Sequence, residues 1–204
     1  MKKAIVILFI LVFAGMAFAV TPVNHTAKLL PAKGMLIAGS TSTSLTTISG
    51  EFTYGLNRAN IHAKLNFAGG RVHFEGLMQH YLFDWNTIDM GFSSGGHIFF
   101  GTARLEISAV GMWNMSYQLA ENVAFYGGLK YKIGYGISWG TGFLVNRLNL
   151  FLGTEIELIK NLKLFLEVQP NIYADTRGVN LNGAFFGVNY YFPDKSEKVE
   201  IPDA

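Results

Sequence analysis

The chain has 204 residues, of which 50% are hydrophobic, 14% aromatic and only 15% charged, and it has no cysteine. An ordinary soluble domain carries about 25% charged residues, and a chain this apolar is not intrinsically disordered. The absence of cysteine excludes a disulfide scaffold, a thiolate zinc site, a thiol nucleophile and a lipid anchor on an N-terminal Cys. Beyond the N-terminus no apolar run reaches the roughly 18 residues of a membrane-spanning helix, which excludes a polytopic helical membrane protein.

Residues 1–19 have the three parts of a secretory signal peptide. Lys2 and Lys3 are the basic start, Ala4 to Phe13 the apolar stretch, and Ala17-Phe18-Ala19 the small-x-small cleavage site. Cleavage after Ala19 removes two lysines and leaves 14 basic against 14 acidic residues. A neutral mature chain has no net field to draw in nucleic acid, so that partner is not expected. Residues 20–33 then read as a periplasmic N-terminal segment.

From residue 34 onward, period-two alternation replaces helical periodicity. About ten strands are expected in chain order: 34–42, 46–55, 61–67, 71–83, 87–93, 97–119, 123–138, 143–158, 162–174 and 180–192. Eight strands are the alternative. In 123–138, Val123, Phe125, Leu129, Tyr131, Ile133, Tyr135 and Ile137 share one face. Ala124, Tyr126, Gly128, Lys130, Lys132, Gly134 and Gly136 share the other. Segment 97–119 is too long for one membrane crossing, so either it extends into solvent or its first third is a loop. Two classes of turn alternate. One places Asn before a strand, as at Leu56 to Ile61, Phe83 to Ile88, Leu119 to Val123 and Leu158 to Leu162. Asn tolerates the left-handed backbone of tight turns. The other is Gly-rich or small and polar: Ser42 to Leu45, Ala68-Gly69-Gly70, Ser94-Gly95-Gly96, Trp139 to Gly142, and Asp175 to Val179.

Charge parity sets the orientation. Within each strand the charged residues fall on one face, opposite the apolar one. These are Glu51, Lys64, Arg71, Glu75, Asp89, Arg104, Glu106, Lys130, Lys132, Arg147, Glu155, Glu157, Lys163 and Glu167, seven acids and seven bases. An apolar face that continues around every strand and is rich in aromatics, with polar residues facing in, is the pattern of a transmembrane β-barrel. Closure also satisfies every strand hydrogen bond, as lipid requires. The expected fold is therefore an all-β, antiparallel up-and-down transmembrane β-barrel over residues 34–192. Tyr190, Phe192, Trp85 and Trp113 are candidates for its aromatic girdles.

The final strand carries Ala184, Phe186, Val188, Tyr190 and Phe192 at alternate positions and ends on the aromatic. In this it resembles the C-terminal signature of bacterial outer-membrane barrels. At pattern level, residues 34 to 192 are similar to small barrels of the OmpA/OmpX or OmpW type. The resemblance implies an outer-membrane location, lipid as a partner, and recognition by the barrel-assembly machinery through Phe192, Tyr190 and Val188. The family usually stops at the aromatic, whereas this chain continues with a polar tail, residues 193–204, too short for a peptidoglycan-binding domain.

Chemistry is sparse, and no catalytic, metal or cofactor site is expected. His25 lies in the N-terminal segment, His62 and His73 point inward, His80 outward, and His97 falls beside a loop. His97 with Ser93 and Ser94 is the one hint of a rim hydrolase, without an orienting third group. Outer loops of three to five residues argue against an adhesin or receptor. The inward charges either pair across strands and fill the lumen, or line a narrow pore. Glu157 with Lys163 and Lys64 with Glu75 are the expected cross-strand pairs. Inward glycines such as Gly128, Gly134, Gly136, Gly153, Gly183 and Gly187 make room for Tyr126 and Phe151. The functional expectation is a non-enzymatic outer-membrane barrel with a structural or narrow-pore role. The alternatives are a porin-like channel for ions or small solutes and, behind it, a rim enzyme acting on lipid or peptide.

Overall fold

The computed structural model describes residues 27–43, 45–85, 87–173 and 179–192. The expected signal peptide, residues 20–26 with His25, Asn86, most of the Asp175 to Val179 turn and the 193–204 tail lie outside them.

Ten antiparallel strands close into one barrel. They are β1 (Met35–Ser42), β2 (Thr47–Gly55), β3 (Ala59–Ala68), β4 (Arg71–Trp85), β5 (Ile88–Gly101), β6 (Arg104–Ala120), β7 (Val123–Ser138), β8 (Thr141–Ile159), β9 (Leu162–Tyr173) and β10 (Val179–Phe192). Each strand pairs with its sequence neighbours, and β1 closes on β10 with Met35 opposite Phe192 and Ile37 opposite Tyr190. No strand edge is left open, so no row of unpaired backbone groups faces lipid.

Eight of the ten expected strands keep their bounds within a few residues. The exception is the β5–β6 hairpin. Ser94-Gly95-Gly96 is not a turn but the middle of β5, and the chain reverses at Thr102 and Ala103. Residues 97–101 thus belong to β5, and β6 has a length that crosses a membrane. Gly95 answers to packing and not to a turn: a Cβ there would lie 2.9 Å from Leu77 Cα and collide with the Gly76 carbonyl. The real turn carries Ala103 at φ 56°, where sequence reading looks for Gly or Asn. The Asn rule holds at Asn161, with φ 71°.

The outer wall is apolar. Ile37, Phe67, Phe74, Phe100, Ile107, Ile133, Tyr135 and Leu152 are each exposed on it. A band this wide on a water-soluble monomer would be an association surface; on a barrel it is the lipid face. Trp113, Trp85, Tyr190 and Phe192 are exposed as well. The interior is the reverse. Glu51, Lys64, Glu75, Glu106, Lys130, Lys132, Glu155 and Glu167 are all buried. Large rings fit because glycine faces them. A Cβ at Gly153 would strike the Tyr126 ring, one at Gly136 the Phe143 ring, and one at Gly128 would sit 2.9 Å from Phe151 Cζ.

Candidate functional site

The lumen is the one place where polar chemistry collects. Its two ends are distinct. Met35 and Phe192 mark the termini end, and the turns at 69–70, 102–103 and 139–140 mark the far end.

Toward the far end, two carboxylates are each gripped by two cations. Glu75 on β4 is held from across the lumen by Lys130, and by Lys132 at 3.2 Å, both on β7. Glu106 on β6 accepts from Arg104 on the same strand and from Arg147 of β8 at 2.9 Å. The Arg104 guanidinium lies over Phe143, 4.6 Å from the ring centroid, and over Phe99 at 5.6 Å. Such stacking is favourable for a planar, weakly hydrated cation. Arg71 stands exposed at the same rim. Beneath it His73 Nδ1 and His97 Nε2 share a hydrogen bond of 3.3 Å, and the His73 ring meets Phe99 edge-on at 4.6 Å.

Packed beside this ion group, and continuing toward the termini end, is an apolar layer on one flank of the lumen. Leu77 of β4, Val110 and Met112 of β6, Tyr126 of β7 and Phe151 of β8 form one buried cluster, none more than 4% exposed. The order is repeated strand by strand. Leu77 lies between Glu75 and Gln79, Val110 and Met112 between Glu106 and Asn114, and Phe151 between Arg147 and Glu155. Phe165 and Phe185 fill the interior from β9 and β10.

Beyond that layer, toward the termini end, carboxylates dominate. Glu155 accepts from Lys163 (3.1 Å), Asn189 (2.8 Å) and Tyr191 (2.7 Å). Glu167 accepts from Tyr126 Oη at 3.1 Å. Nearer mid-depth, Lys64, which stands opposite Glu75 in register, lies 2.9 Å from Glu51. Gln79 Oε1 accepts from His62 Nε2 (2.9 Å) and Asn60 Nδ2 (3.1 Å).

The N-terminal segment crosses this mouth. The Leu30 amide donates to Asn60 Oδ1 on β3 at 3.0 Å. Three strands round the barrel, the Ala27 amide donates to Ser116 Oγ on β6 at 3.3 Å. Lys28 reaches Asp89 on β5 at 3.7 Å, and Ala27 is fully buried. Residues 28–31 therefore roof a cavity of about 230 Å³ walled by His62, Gln79, Glu155 and Tyr191, among others. The expected periplasmic N-terminal segment, residues 20–33, is described only from residue 27, and that part sits in the mouth. No periodic signal marks a short segment that satisfies its backbone donors on interior side chains.

Several expected contacts rearrange. Glu157 stands opposite Lys163 in register, but Lys163 reaches Glu155, the next inward position along β8. Lys64 stands opposite Glu75, while the Glu75 carboxylate is taken by two lysines of β7. Pairing across the lumen competes with pairing along the wall, and only the former depends on how the barrel closes. His97 is not beside a loop. It is buried in mid-strand against His73, so the rim Ser-His reading loses its geometry. His80 does face outward.

Equal numbers of inward acids and bases do not make a uniform lumen. The far end holds Arg71, Arg104, Arg147, Lys130 and Lys132 against Glu75 and Glu106. The rest holds Glu51, Asp89, Glu155, Glu157 and Glu167 against Lys64 and Lys163, with Lys28 added by the N-terminal segment. No group of three or more His, Asp or Glu side chains suited to a metal ion occurs among the described residues.

Together, the closed meander, the apolar outer wall and the charged interior define the fold of an outer-membrane β-barrel. No protein-family model matches the sequence, and no curated protein matches it. Among solved structures, the chain is similar to an outer membrane channel from Pseudomonas putida F1, at 10% identity and a TM-score of 0.52, over 85% of this chain and 100% of that one. The KdgM porin matches at 11% identity and a TM-score of 0.39, over 78% and 99%. The N-terminal β-barrel domain of Pseudomonas aeruginosa OprF matches at 14% and 0.29, over 78% and 96%.

Proposed function

We propose that this protein is a non-enzymatic barrel of the outer membrane whose lumen is closed at mid-depth and passes at most a narrow aqueous thread. The observation that carries this reading is the buried layer of Leu77, Val110, Met112, Tyr126 and Phe151. An ion passing this level meets a packed apolar flank on β4, β6, β7 and β8, and the neighbouring Lys130 and Lys132, register partners of Met112 and Val110, are already held by Glu75, so little polar surface is left to replace its hydration. The ion pairs on either side then brace the wall. Residues 1–19 direct export, the termini end faces the periplasm, and Phe192, Tyr190 and Val188 serve the assembly machinery. All three are exposed on the lipid face of β10, with the Tyr190 and Phe192 rings 5.0 Å apart. The test is planar-bilayer conductance of the refolded mature protein, which should be small or absent. Frequent large openings in the unmodified protein would refute closure.

A passive channel is the second reading. What favours it is the cavity on the termini side and the half-exposed arginines on the far side, two polar vestibules that flank one apolar layer. The similar Pseudomonas putida F1 protein is an outer membrane channel. Steady openings whose ion selectivity changes when Lys130 and Lys132 are neutralised would favour this reading over closure.

A further inference from the structure

We propose that the far mouth of the lumen is a binding site for a multivalent oxyanion, the phosphate or clustered carboxylates of a soluble solute. The proposal concerns the vestibule alone and holds whether or not the lumen conducts.

Charge balance comes first. Five cations stand here against two carboxylates, an excess of three positive charges inside low-dielectric walls, which focus a field at the opening. The carboxylates leave much of that charge unspent. Arg104 uses Nε and Nη2 on Glu106, and Arg147 uses only Nη2. A guanidinium has five N–H donors, so both retain donors for a second anion. Their side chains are 38% and 32% exposed, hence reachable from the mouth. Arg71 pairs with no carboxylate among the described residues. Its Cγ lies 3.5 Å from where a Cβ on Gly101 would stand, in the same patch as the Phe99 ring.

The second observation is independent of charge. His73 and His97 are 8% and 2% exposed, and beyond their mutual bond His73 Nε2 and His97 Nδ1 have no hydrogen-bond partner. In a hydrogen bond between two neutral imidazoles, one ring donates and the other accepts. The accepting ring must carry its proton on the far nitrogen. One N–H is therefore unpartnered in either tautomer, on His97 or on His73, the ring that meets Phe99 edge-on where Arg104 stacks. A buried unpaired donor costs free energy, and an oxyanion held by the arginines is the ligand whose acceptors suit it. Planar guanidinium groups recognise phosphate and carboxylate in a bidentate manner.

The source is a soluble solute and not a lipid headgroup, because these side chains lie on the inward parity of β4, β6 and β8, opposite the lipid face.

The mature protein, folded in a nonionic detergent at low ionic strength, is titrated calorimetrically with inorganic phosphate and with citrate. Saturable one-to-one binding is expected for at least one of the two. Arg104→Gln with Arg147→Gln should weaken it tenfold or more. Because that pair also supports Glu106, Arg71→Gln is the cleaner variant. It breaks no ion pair among the described residues and should weaken binding at least threefold with unchanged thermal stability. Lys163→Gln, at the termini end, should leave affinity within twofold. No saturable binding, indifference to Arg71, or equal loss in Lys163→Gln would each overturn the site. Displacement of the bound anion by anionic phospholipid vesicles would overturn the soluble source.

Discussion

Lys130 and Glu75 are 55 residues apart in sequence and form an ion pair across the lumen with side chains only 1% and 2% exposed. Lys132 completes the group at 3.2 Å. A buried charge that loses its partner costs more than an exposed one, about 3–5 kcal/mol against at most about 1. The partners are not equivalent. Glu75→Gln strands two ammonium groups, whereas Lys130→Met leaves Glu75 with Lys132. Urea unfolding of the folded barrel should therefore show a loss of about 3–5 kcal/mol for Glu75→Gln and a clearly smaller one for Lys130→Met. Equal losses would mean that the carboxylate is not the centre of the group.

Two glycines are expected to respond differently to alanine. At Gly153 the added Cβ meets only the Tyr126 ring, but at Gly128 it meets the Trp113 carbonyl as well as the Phe151 ring. A flexible ring can be trimmed and a strand backbone cannot. Gly153→Ala should lower the yield of folded barrel and be largely rescued by Tyr126→Leu. Gly128→Ala should be as damaging and not rescued by Phe151→Leu. The heat-modifiable shift of the folded barrel on a gel reads both. Rescue at both positions would show that the wall itself has room to yield.

The strand pattern was legible because lipid outside and charge inside impose a period of two that no soluble domain sustains around every strand. What stayed hidden depends on closure. The Lys130–Glu75 pair, the His73–His97 contact and the grouping of cations at one end join strands through the lumen, and one-dimensional parity carries no information about height along the axis. The Gly95-Gly96 misreading has a different cause. Glycine marks close backbone approach as well as turns, and in a barrel wall the former is common. Ala103, the residue that actually takes a positive φ, gave no signal.

Topology follows from the alternation of turns. Glu121 lies in a turn at the termini end and Thr141 directly after one at the far end. Single cysteines placed at 121 and 141 in intact cells should react with an impermeant maleimide only at 141, with 121 reacting once the outer membrane is permeabilised. Labelling of both in intact cells would refute a periplasmic termini end.

Phe192 ends β10 opposite Met35, at the seam that closes the barrel. Its ring is part-exposed on the lipid face and packs edge-on against Tyr190. Phe192→Ala should lower the amount of folded protein in the outer-membrane fraction severalfold, while removal of residues 194–204 should not. A tail deletion that proved the more damaging change would move the assembly signal out of β10.

Two structures obstruct the lumen, the apolar layer and the segment at residues 27–31 across the termini-end mouth, and conductance separates them. The segment is held by few polar contacts, such as Ala27 to Ser116, Leu30 to Asn60 and Lys28 to Asp89. The layer is packed side chain against side chain, with Phe151 fully buried and Met112 1% exposed. Cutting Phe151 to alanine removes a large ring that lies against Gly128 and beside the Tyr126 ring, and a glycine has no side chain with which to refill the cavity. If the layer is the barrier, Phe151→Ala with Met112→Ala should raise single-channel conductance measurably in the otherwise intact protein. A mature chain starting at residue 32 should stay near the unmodified value. The reverse result, opening on removal of the segment alone, would place the closure at the mouth and leave the layer as packing.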